Sequence, residues 1–386
     1  MMESRWLRWI GPGVIALGAV GSIASTAIGA GQRPWMPPAC DDEAGDRVSA
    51  ARSPGPIGLG DLHLEAWFRL DPRLDHEGAL QGQRLALGTA GDRSSRIMDL
   101  PPESFAAGPF GRIVLVGADD GSTSRLEAVN VAGECSWAVA EESAVIRRAT
   151  IDPAGETIYE MRVDRATRED LGIWTRPLDG TLPAVRILEP IGTDVRFGRT
   201  YTTELSWDVS GRTLAIQSCG EAACRTRVID PAGGTPRTVA EPDLGTLVGL
   251  DGDVLVAYAA CPAFPCPIVA VNLESGGREV LADAGAVAVV IATPDGPRLV
   301  HEVFDESGVA LRAIALDGSS ATDLGRLPDG LRLHPSTTVA EAATRVPSGW
   351  VVLGPDGRLP GSGPNAQTQL RHVPDGTTVQ LDEVAR

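Results

Sequence analysis

Six cysteines are the residues of this chain whose type and spacing point most directly to chemistry. Two pairs, Cys219 with Cys224 and Cys261 with Cys266, have the same CxxxxC spacing in two successive segments. In each segment a strand-like run precedes the first cysteine and another follows the second. Because strands that meet at a hairpin bring their Cα atoms within disulfide distance, we expect each pair to close its own hairpin loop.

The two remaining cysteines are Cys40 and Cys135, which makes the set even and fits an oxidising compartment. A disulfide between them would join the segment that follows the N-terminal apolar stretch to an early repeat. The alternative is a zinc site built from the two CxxxxC pairs. Zinc sites usually use CxxC spacing, which lets both sulfurs reach one ion, so we predict disulfides and no metal site.

No histidine lies within a recognisable catalytic motif. HEVFD resembles the zinc-protease pattern HExxH, but it ends in Asp305 and lies on a predicted strand, where side chains four positions apart diverge. LDHEG, residues 74–78, is more simply a solvated loop than a metal site. No GxSxG, GxxxxGK[ST] or GxGxxG motif occurs, so no catalytic or cofactor-binding residue is predicted. The five histidines are His63, His76, His301, His334 and His372.

Four tryptophans fall in four different repeats of the chain: Trp137, Trp174, Trp207 and Trp350. Aromatic side chains can line a groove for a carbohydrate or a peptide. A tryptophan on a strand more often packs between neighbouring sheets, because it buries a large area. We therefore expect packing roles for these four residues.

The elements that position these residues are short strands punctuated by one kind of turn. The turns ADDG, DPAG, DVSG, LDG, TPDG and GPDG place Gly where a hairpin needs positive φ. Alternating runs such as TIYEMRV, TLAIQS, DVLVAYA and RLVHEV follow most of them. Alternation at period two predicts strands with one buried face.

A unit of four strands recurs about every forty to fifty residues, which is typical of a β-propeller. We predict an all-β fold, a single propeller over residues 61–386 with about seven four-stranded blades. Six or eight blades, or a β-sandwich, are the alternatives. The blades are predicted at residues 62–105, 109–141, 145–190, 200–242, 245–284, 286–326 and 333–384.

The stretches ELSWDVSGRTLAIQSC, TIDPAGETIYEMRVD and VIATPDGPRLVHEV resemble the WD-repeat-like units of TolB-type propellers. In those units a PDG-like turn lies between the first two strands of each blade. The resemblance covers most of residues 100–386. It implies an extracytoplasmic propeller that binds other proteins, or the gating domain of a peptidase. The chain ends after its last predicted blade, so no peptidase domain is expected.

The N-terminal residues predict export. Arg5 and Arg8 precede residues 9–32, which carry no charge and are numerous enough to cross a bilayer as a hydrophobic helix. Basic residues before such a stretch place the N-terminus inside and the rest outside. Residues 1–32 are either a cleaved signal peptide or a signal anchor, and their length favours the anchor. Residues 33–60 are predicted to be a linker.

Composition narrows the function. All 34 basic residues are arginine, and the net charge is −17, which disfavours nucleic-acid binding. We expect an exported propeller, tethered to the cell membrane or secreted, that binds a protein or an envelope polymer and uses no cofactor. The alternative is a hydrolase or lyase acting on sugars or lactones at the central channel, since such sites assemble from separate blades.

Overall fold

The computed structural model describes residues 36–41, 66–77, 79–89, 96–110, 112–152, 155–190, 201–207, 212–219, 224–230, 236–239, 244–261, 265–306, 308–333, 349–355 and 369–380. The predicted targeting segment, residues 1–32, lies outside this described part. Among the described residues, no helix is long and apolar enough to cross a membrane.

The regular structure of the described residues is entirely β-strand, as predicted, and forms seven antiparallel sheets of consecutive strands. The first three sheets contain β1 (Ala66–Leu74), β2 (Leu80–Thr89), β3 (Arg96–Leu100); β4 (Phe105–Phe110), β5 (Ile113–Asp119), β6 (Ser124–Asn130), β7 (Cys135–Glu142); β8 (Val145–Ile151), β9 (Thr157–Val163), β10 (Asp170–Pro177) and β11 (Val185–Leu188).

The other four sheets have four strands each. They contain β12 (Tyr201–Trp207), β13 (Leu214–Cys219), β14 (Cys224–Ile229), β15 (Arg237–Val239); β16 (Leu244–Asp251), β17 (Val254–Ala259), β18 (Cys266–Asn272), β19 (Arg278–Gly285); β20 (Ala288–Ile291), β21 (Arg298–Asp305), β22 (Gly308–Ala315), β23 (Ala321–Arg326); β24 (Leu331–Leu333), β25 (Trp350–Pro355), β26 (Gln369–His372) and β27 (Thr378–Gln380).

Neighbouring sheets stack face to face. The first strands of the second to sixth sheets, β4, β8, β12, β16 and β20, lie next to one another in turn. Apolar cores fill the boundaries between neighbouring sheets from the first to the sixth. The first strands are therefore innermost and the last strands outermost, which is the arrangement of a β-propeller.

The alternation of TIYEMRV predicted one buried face, but both faces of β9 are buried. Ile158 belongs to the core between the second and third sheets, which also contains Leu115. Its neighbour Tyr159 belongs to the core between the third and fourth sheets, which also contains Leu214. Because each sheet of a propeller has a neighbour on both sides, the period-two pattern here separates two cores and not core from solvent.

The turn chemistry read from the sequence is present at the hairpin between β8 and β9. The Asp152 carboxylate accepts hydrogen bonds from the backbone N–H groups of Glu156 and Thr157, at 2.7 and 2.9 Å. Gly155 has a φ of 74°, which glycine adopts without steric cost. The Asp and Gly of the turn together set the geometry of this hairpin.

The described part of the predicted linker is paired to the propeller. Residues 38–40 lie parallel to the start of β7, where the Cys40 N–H donates to the Ser136 carbonyl oxygen at 3.0 Å. The Ser136 N–H donates to the Pro38 carbonyl oxygen at 2.8 Å. A disulfide joins Cys40 to Cys135, with a Cα–Cα distance of 5.0 Å. We call residues 38–40 the strap, because they cover the outer edge of the second sheet.

Candidate functional site

One face of the propeller consists of the hairpins that join the second and third strands of the four-stranded sheets. We call it the cysteine face, because both CxxxxC pairs lie there. Within the described residues it includes the segments 119–124, 164–169, 259–261, 265–266 and 305–306, together with residue 308. The connections from one sheet to the next, such as residues 143–144, reach the same face, since each passes from a last strand to a first strand.

The second CxxxxC pair forms a disulfide on this face. Cys261 lies two residues after β17, and Cys266 begins β18. Their Cα atoms are 5.7 Å apart, and the bond closes the hairpin between the two strands. The disulfide restricts this loop, which spans five positions of sequence.

The first CxxxxC pair occupies the equivalent position one sheet earlier. Cys219 ends β13 and Cys224 begins β14, and the two residues are direct partners in the antiparallel register. Directly opposed residues of an antiparallel pair have Cα atoms about 4.5–5.5 Å apart, which is within disulfide range. Their side chains lie outside the described part of the structure.

Ion pairs tie neighbouring hairpins of the face together. Arg165, on the third sheet, donates two hydrogen bonds to the Asp119 carboxylate of the second sheet, at 2.7 and 2.8 Å. Arg165 also donates to the Ser143 carbonyl oxygen at 3.0 Å. The hydrogen bonds from Arg165 lower the pKa of Asp119 from its usual value, against the effect of burial. The bidentate pair holds two blades in a fixed relation.

Two further ion pairs on this face are exposed. Arg168 pairs with Glu103 at 3.3 Å, and Arg326 pairs with Asp305 at 3.1 Å. Solvent screens such pairs, so each contributes little to stability. They place charge of both signs around the rim of the face.

An aromatic side chain is exposed at the boundary of the sixth and seventh sheets. Phe304 is 48% exposed, next to the hairpin that follows β21. The guanidinium carbon of Arg332, on the innermost strand of the seventh sheet, lies 4.8 Å from the centre of the Phe304 ring. The geometry is that of a cation–π contact, so the ring and the guanidinium group hold each other in place.

Arg332 is in turn fixed by a buried carboxylate. Glu302 is fully buried and accepts hydrogen bonds from Arg332 Nε at 2.9 Å and Nη2 at 2.5 Å. The same carboxylate accepts a 2.7 Å hydrogen bond from the Leu333 N–H. Phe304, Arg332 and Glu302 therefore form a series of contacts from solvent to the interior, which we call the Phe304 anchor.

A second buried charged cluster lies between the second and third sheets. Glu160 accepts hydrogen bonds from Arg162 at 2.6 and 2.8 Å and from Arg176 at 2.6 Å. Glu142 accepts hydrogen bonds from both arginines. Trp174 covers Arg162, with the guanidinium carbon 4.6 Å from the ring centre. Two carboxylates neutralise two guanidinium groups, so the cluster packs as a neutral unit that connects the two sheets.

Arg227 adds a buried cation between the third and fourth sheets. Its Nη1 donates to the Glu189 carbonyl oxygen, whereas its Nε and Nη2 have no hydrogen-bond partner among the residues that the structure describes. Burial lowers the pKa of Arg227 to about 10, and the charge of Asp170 opposes that effect. The side chain therefore remains a cation at neutral pH.

The histidines predicted to lie outside catalytic motifs have varied surroundings. His301 is buried in β21, and its neighbour Glu302 turns to the opposite face, as expected for HEVFD on a strand. His76 is exposed in its turn, where Asp75 caps the backbone N–H groups of Glu77 and Ala79. The described residues contain no group of three metal-ligating side chains. His63 and His334 lie outside the described residues.

The tryptophans pack between elements where their side chains are described. Trp137 is buried, and its Nε1–H donates to the Leu178 carbonyl oxygen at 2.9 Å. Trp350 is buried beside the His372 ring, with ring centres 4.9 Å apart. Trp174 is partly buried against the charged cluster described above. The Trp207 side chain lies outside the described part.

Sequence reasoning did not identify Glu160, Glu302 or Arg332. The available signal was a charged residue in the middle of a run of apolar strand residues, as in TIYEMRV and RLVHEV. In a strand buried on both faces, such a residue must find a partner on a neighbouring sheet. Identifying that partner requires the pairing of sheets, which the spacing of single repeats does not contain.

Comparison with known proteins supports the fold and leaves the family open. No protein-family model and no curated protein matches the chain. Among solved structures it is similar to a prolyl endopeptidase whose inter-domain dynamics in catalysis were studied, with TM-score 0.54 and 13% identity over 88% of this chain and 51% of that one. The chain spans about half the length of that enzyme.

Two further solved structures are less similar. One is the β-propeller domain of the Trilobed protease from Pyrococcus furiosus, with TM-score 0.49 and 11% identity over 82% of this chain and 92% of that one. The other is TolB from Acinetobacter baumannii, with TM-score 0.41 and 10% identity over 69% of this chain and 64% of that one. Similarity at these identities concerns the fold alone.

Proposed function

We propose that the chain is an extracytoplasmic, membrane-tethered propeller of seven TolB-type blades that binds a protein partner through its cysteine face. The observation that carries the proposal is the Phe304 anchor. It combines an exposed aromatic ring with an arginine that is already held by a buried carboxylate. Aromatic and arginine side chains supply most of the energy at protein interfaces.

The cysteine face around the anchor is restricted by covalent and ionic contacts in the free protein. The Cys261–Cys266 disulfide restricts one hairpin, and the Asp119–Arg165 pair joins two others. Ordering loops and side chains on binding costs free energy, and a surface whose loops are already ordered avoids part of that cost. The face therefore meets the requirements of a pre-organised recognition surface.

Export of the propeller is supported by its disulfides. The described residues contain two disulfides, Cys40–Cys135 and Cys261–Cys266. Such bonds form and persist in oxidising compartments. The uncharged stretch at residues 9–32 supplies the tether in this proposal.

The test is crosslinking of the tagged full-length chain in its own cell envelope, followed by mass spectrometry of what is captured. Phe304→Ala should reduce recovery of the main protein partner at least several-fold, because it removes the central ring of the anchor. Val280→Ala is the matched control, since Val280 is also exposed but lies on β19, the outermost strand of the fifth sheet.

Equal recovery of the partner by wild type and Phe304→Ala would overturn the anchor as the binding site. Capture of polysaccharide fragments without any reproducible protein would overturn the protein-binding role in favour of an envelope polymer. Capture of neither a protein nor a polysaccharide would favour the alternative function, an enzyme with its site at the central channel. Melting temperatures of the two variants must match, so that reduced capture reports on binding.

A further inference from the structure

The strap fixes where the N-terminal chain leaves the propeller. The strap runs parallel to β7, which begins at Cys135 and ends at Glu142. The Glu142 end lies at the cysteine face, because the next residue, Ser143, accepts a hydrogen bond from Arg165 of that face. Met36 and Pro37, the described residues before Pro38, therefore lie towards the other end of β7, away from the cysteine face.

The distance from this exit point to the predicted membrane segment is short. The uncharged stretch ends at Gln32, and the strap begins at Pro38. Even a fully extended chain covers only about 20 Å over that interval. With the Cys40–Cys135 disulfide in place, the outer edge of the second sheet cannot move further from the end of the apolar stretch than this length allows.

An exposed apolar surface lies beside the exit point, on the outermost strand of the third sheet and the turn that leads into it. Leu182, Val185 and Ile187 are 60, 62 and 39% exposed. Large apolar side chains that are exposed singly are common, but three within six residues form a patch. We call these three residues the β11 patch.

Direct contacts connect the β11 patch to the strap. Ser136, which bonds both ends of the strap, is followed by Trp137, whose Nε1–H donates to the Leu178 carbonyl oxygen. Gly180, two residues further, packs so closely on β7 that a Cβ atom there would lie 2.8 Å from the Ala138 carbonyl oxygen. The turn that leads into the patch is thus fixed against the strand that carries the strap.

The charges near the β11 patch are balanced. Asp179 and Glu189 flank residues 180–188, in which Arg186 is the one charged residue. Arg186 pairs with Glu189 at 2.6 Å, and its guanidinium carbon lies 5.8 Å from the centre of the Trp174 ring. Because side chains alternate along a strand, Val185 and Ile187 lie on the opposite face of β11 from Arg186, where apolar side chains can enter the interfacial region of a bilayer.

We propose that the β11 patch docks on the bilayer to which the N-terminal segment tethers the chain. The proposal rests on the membrane tether of the proposed function. Docking at this edge places the end of the second and third sheets that is remote from the cysteine face against the lipid. The cysteine face and its Phe304 anchor then point away from the membrane, accessible to a partner.

The test measures contact with lipid in the full-length chain, reconstituted in nanodiscs of phosphatidylcholine and phosphatidylglycerol. A fluorescent label is attached through Val185→Cys, and lipids with a spin label on the acyl chain quench it on contact. Thr322→Cys provides the matched control, because Thr322 is exposed on β23, the outermost strand of the sixth sheet. The wild-type protein should not react with the thiol-directed fluorescent label, because the described residues contain no free cysteine.

The expected result is loss of fluorescence at position 185 and none at position 322 when spin-labelled lipid is present. Co-elution with nanodiscs but no quenching at position 185 would overturn the docking and leave the tether intact. Absence of co-elution would overturn both the tether and the docking. Neither outcome alters partner capture through Phe304, so failure of this inference is distinct from failure of the binding function.

Discussion

The side-chain carbonyl of Gln217, on the second strand of the fourth sheet, accepts a 3.1 Å hydrogen bond from the Leu247 N–H on the first strand of the fifth. The amide nitrogen of Gln217 donates to the Gly245 carbonyl oxygen at 3.0 Å. One buried side chain thus satisfies a donor and an acceptor of the neighbouring sheet.

The same kind of contact recurs around the propeller. Glu302 accepts a hydrogen bond from the Leu333 N–H of the next sheet, and the Tyr258 hydroxyl donates to the Ala286 carbonyl oxygen at 3.4 Å. In each case a polar side chain of a second strand contacts the backbone at the start of the following sheet. These contacts fix the position of each blade relative to the next, which apolar packing alone specifies less well.

Gln217→Met should lower the free energy of unfolding by about 2–3 kcal/mol, because it leaves buried backbone groups of the fifth sheet without their partner. Methionine keeps the length and shape of the side chain, so the loss reports on hydrogen bonding. Gln81→Met is the matched control, since Gln81 is exposed and bonds only the side chain of Asp75 in the described structure. Urea unfolding followed by circular dichroism compares the two, and equal midpoints would contradict the prediction.

Glu142→Ala should destabilise the protein far more than Glu141→Ala. Glu142 is 26% exposed and accepts hydrogen bonds from Arg162 and Arg176, whereas Glu141 is 65% exposed and pairs with Arg125 at 3.9 Å. Removal of Glu142 leaves an excess of buried positive charge, which costs about 2–4 kcal/mol after allowance for its partial exposure.

Removal of the exposed Glu141 should change the free energy of unfolding by less than about 0.5 kcal/mol. The two variants differ by one position on β7, so their chemistry and location are matched. Chemical denaturation at neutral pH measures both, and a comparable loss in the two variants would show that the cluster is not a cohesive unit.

The two disulfides of the described residues should contribute unequally to stability. The loop-entropy relation gives about 2 kcal/mol for Cys261–Cys266, which spans 5 positions, and about 4–5 kcal/mol for Cys40–Cys135, which spans 95. Serine replacements of each pair, with the other disulfide verified by intact mass, should lower the urea midpoint in that order. The reverse order would indicate that the strap is already constrained in the unfolded chain.

The repeat pattern of the sequence predicted much of this fold because each turn is local. Gly155 and Gly296, at the DPAG and TPDG turns, have the positive φ values expected of them. The partners of Cys40 and Glu302 lie on segments that are distant in sequence. Cys135 is predicted as the partner of Cys40 because the two CxxxxC pairs account for the other four cysteines. No feature of the sequence indicates Arg332 as the partner of Glu302.

The Phe304 anchor could not be predicted from the sequence, because it also depends on contacts between distant segments. Phe304 follows the alternation of β21, which gives no sign of whether the end of the strand is covered by the next sheet. Its contact with Arg332 of the seventh sheet joins segments that are distant in sequence. The local pattern of one strand carries no information about such a contact.

Stability should decrease as the pH falls below about 6.5 because of His301. Burial lowers the pKa of His301 below its usual value of 6.5, and its charged neighbour Arg312 acts in the same direction. The unfolded chain therefore binds a proton at a higher pH than the folded chain. The contribution of neutral His301 is fully present above pH 6.5 and is lost progressively as the pH falls towards the folded pKa.

His301→Leu should flatten the dependence of unfolding free energy on pH between 7.5 and 5.5, because the position then no longer titrates. His76→Gln is the matched control for loss of one imidazole, since His76 is exposed in its turn. The aspartates with lowered pKa values, such as Asp119 and Asp375, lose their contribution only below about pH 4, outside this window. A His301→Leu slope equal to that of the wild type would assign the acid sensitivity to another group.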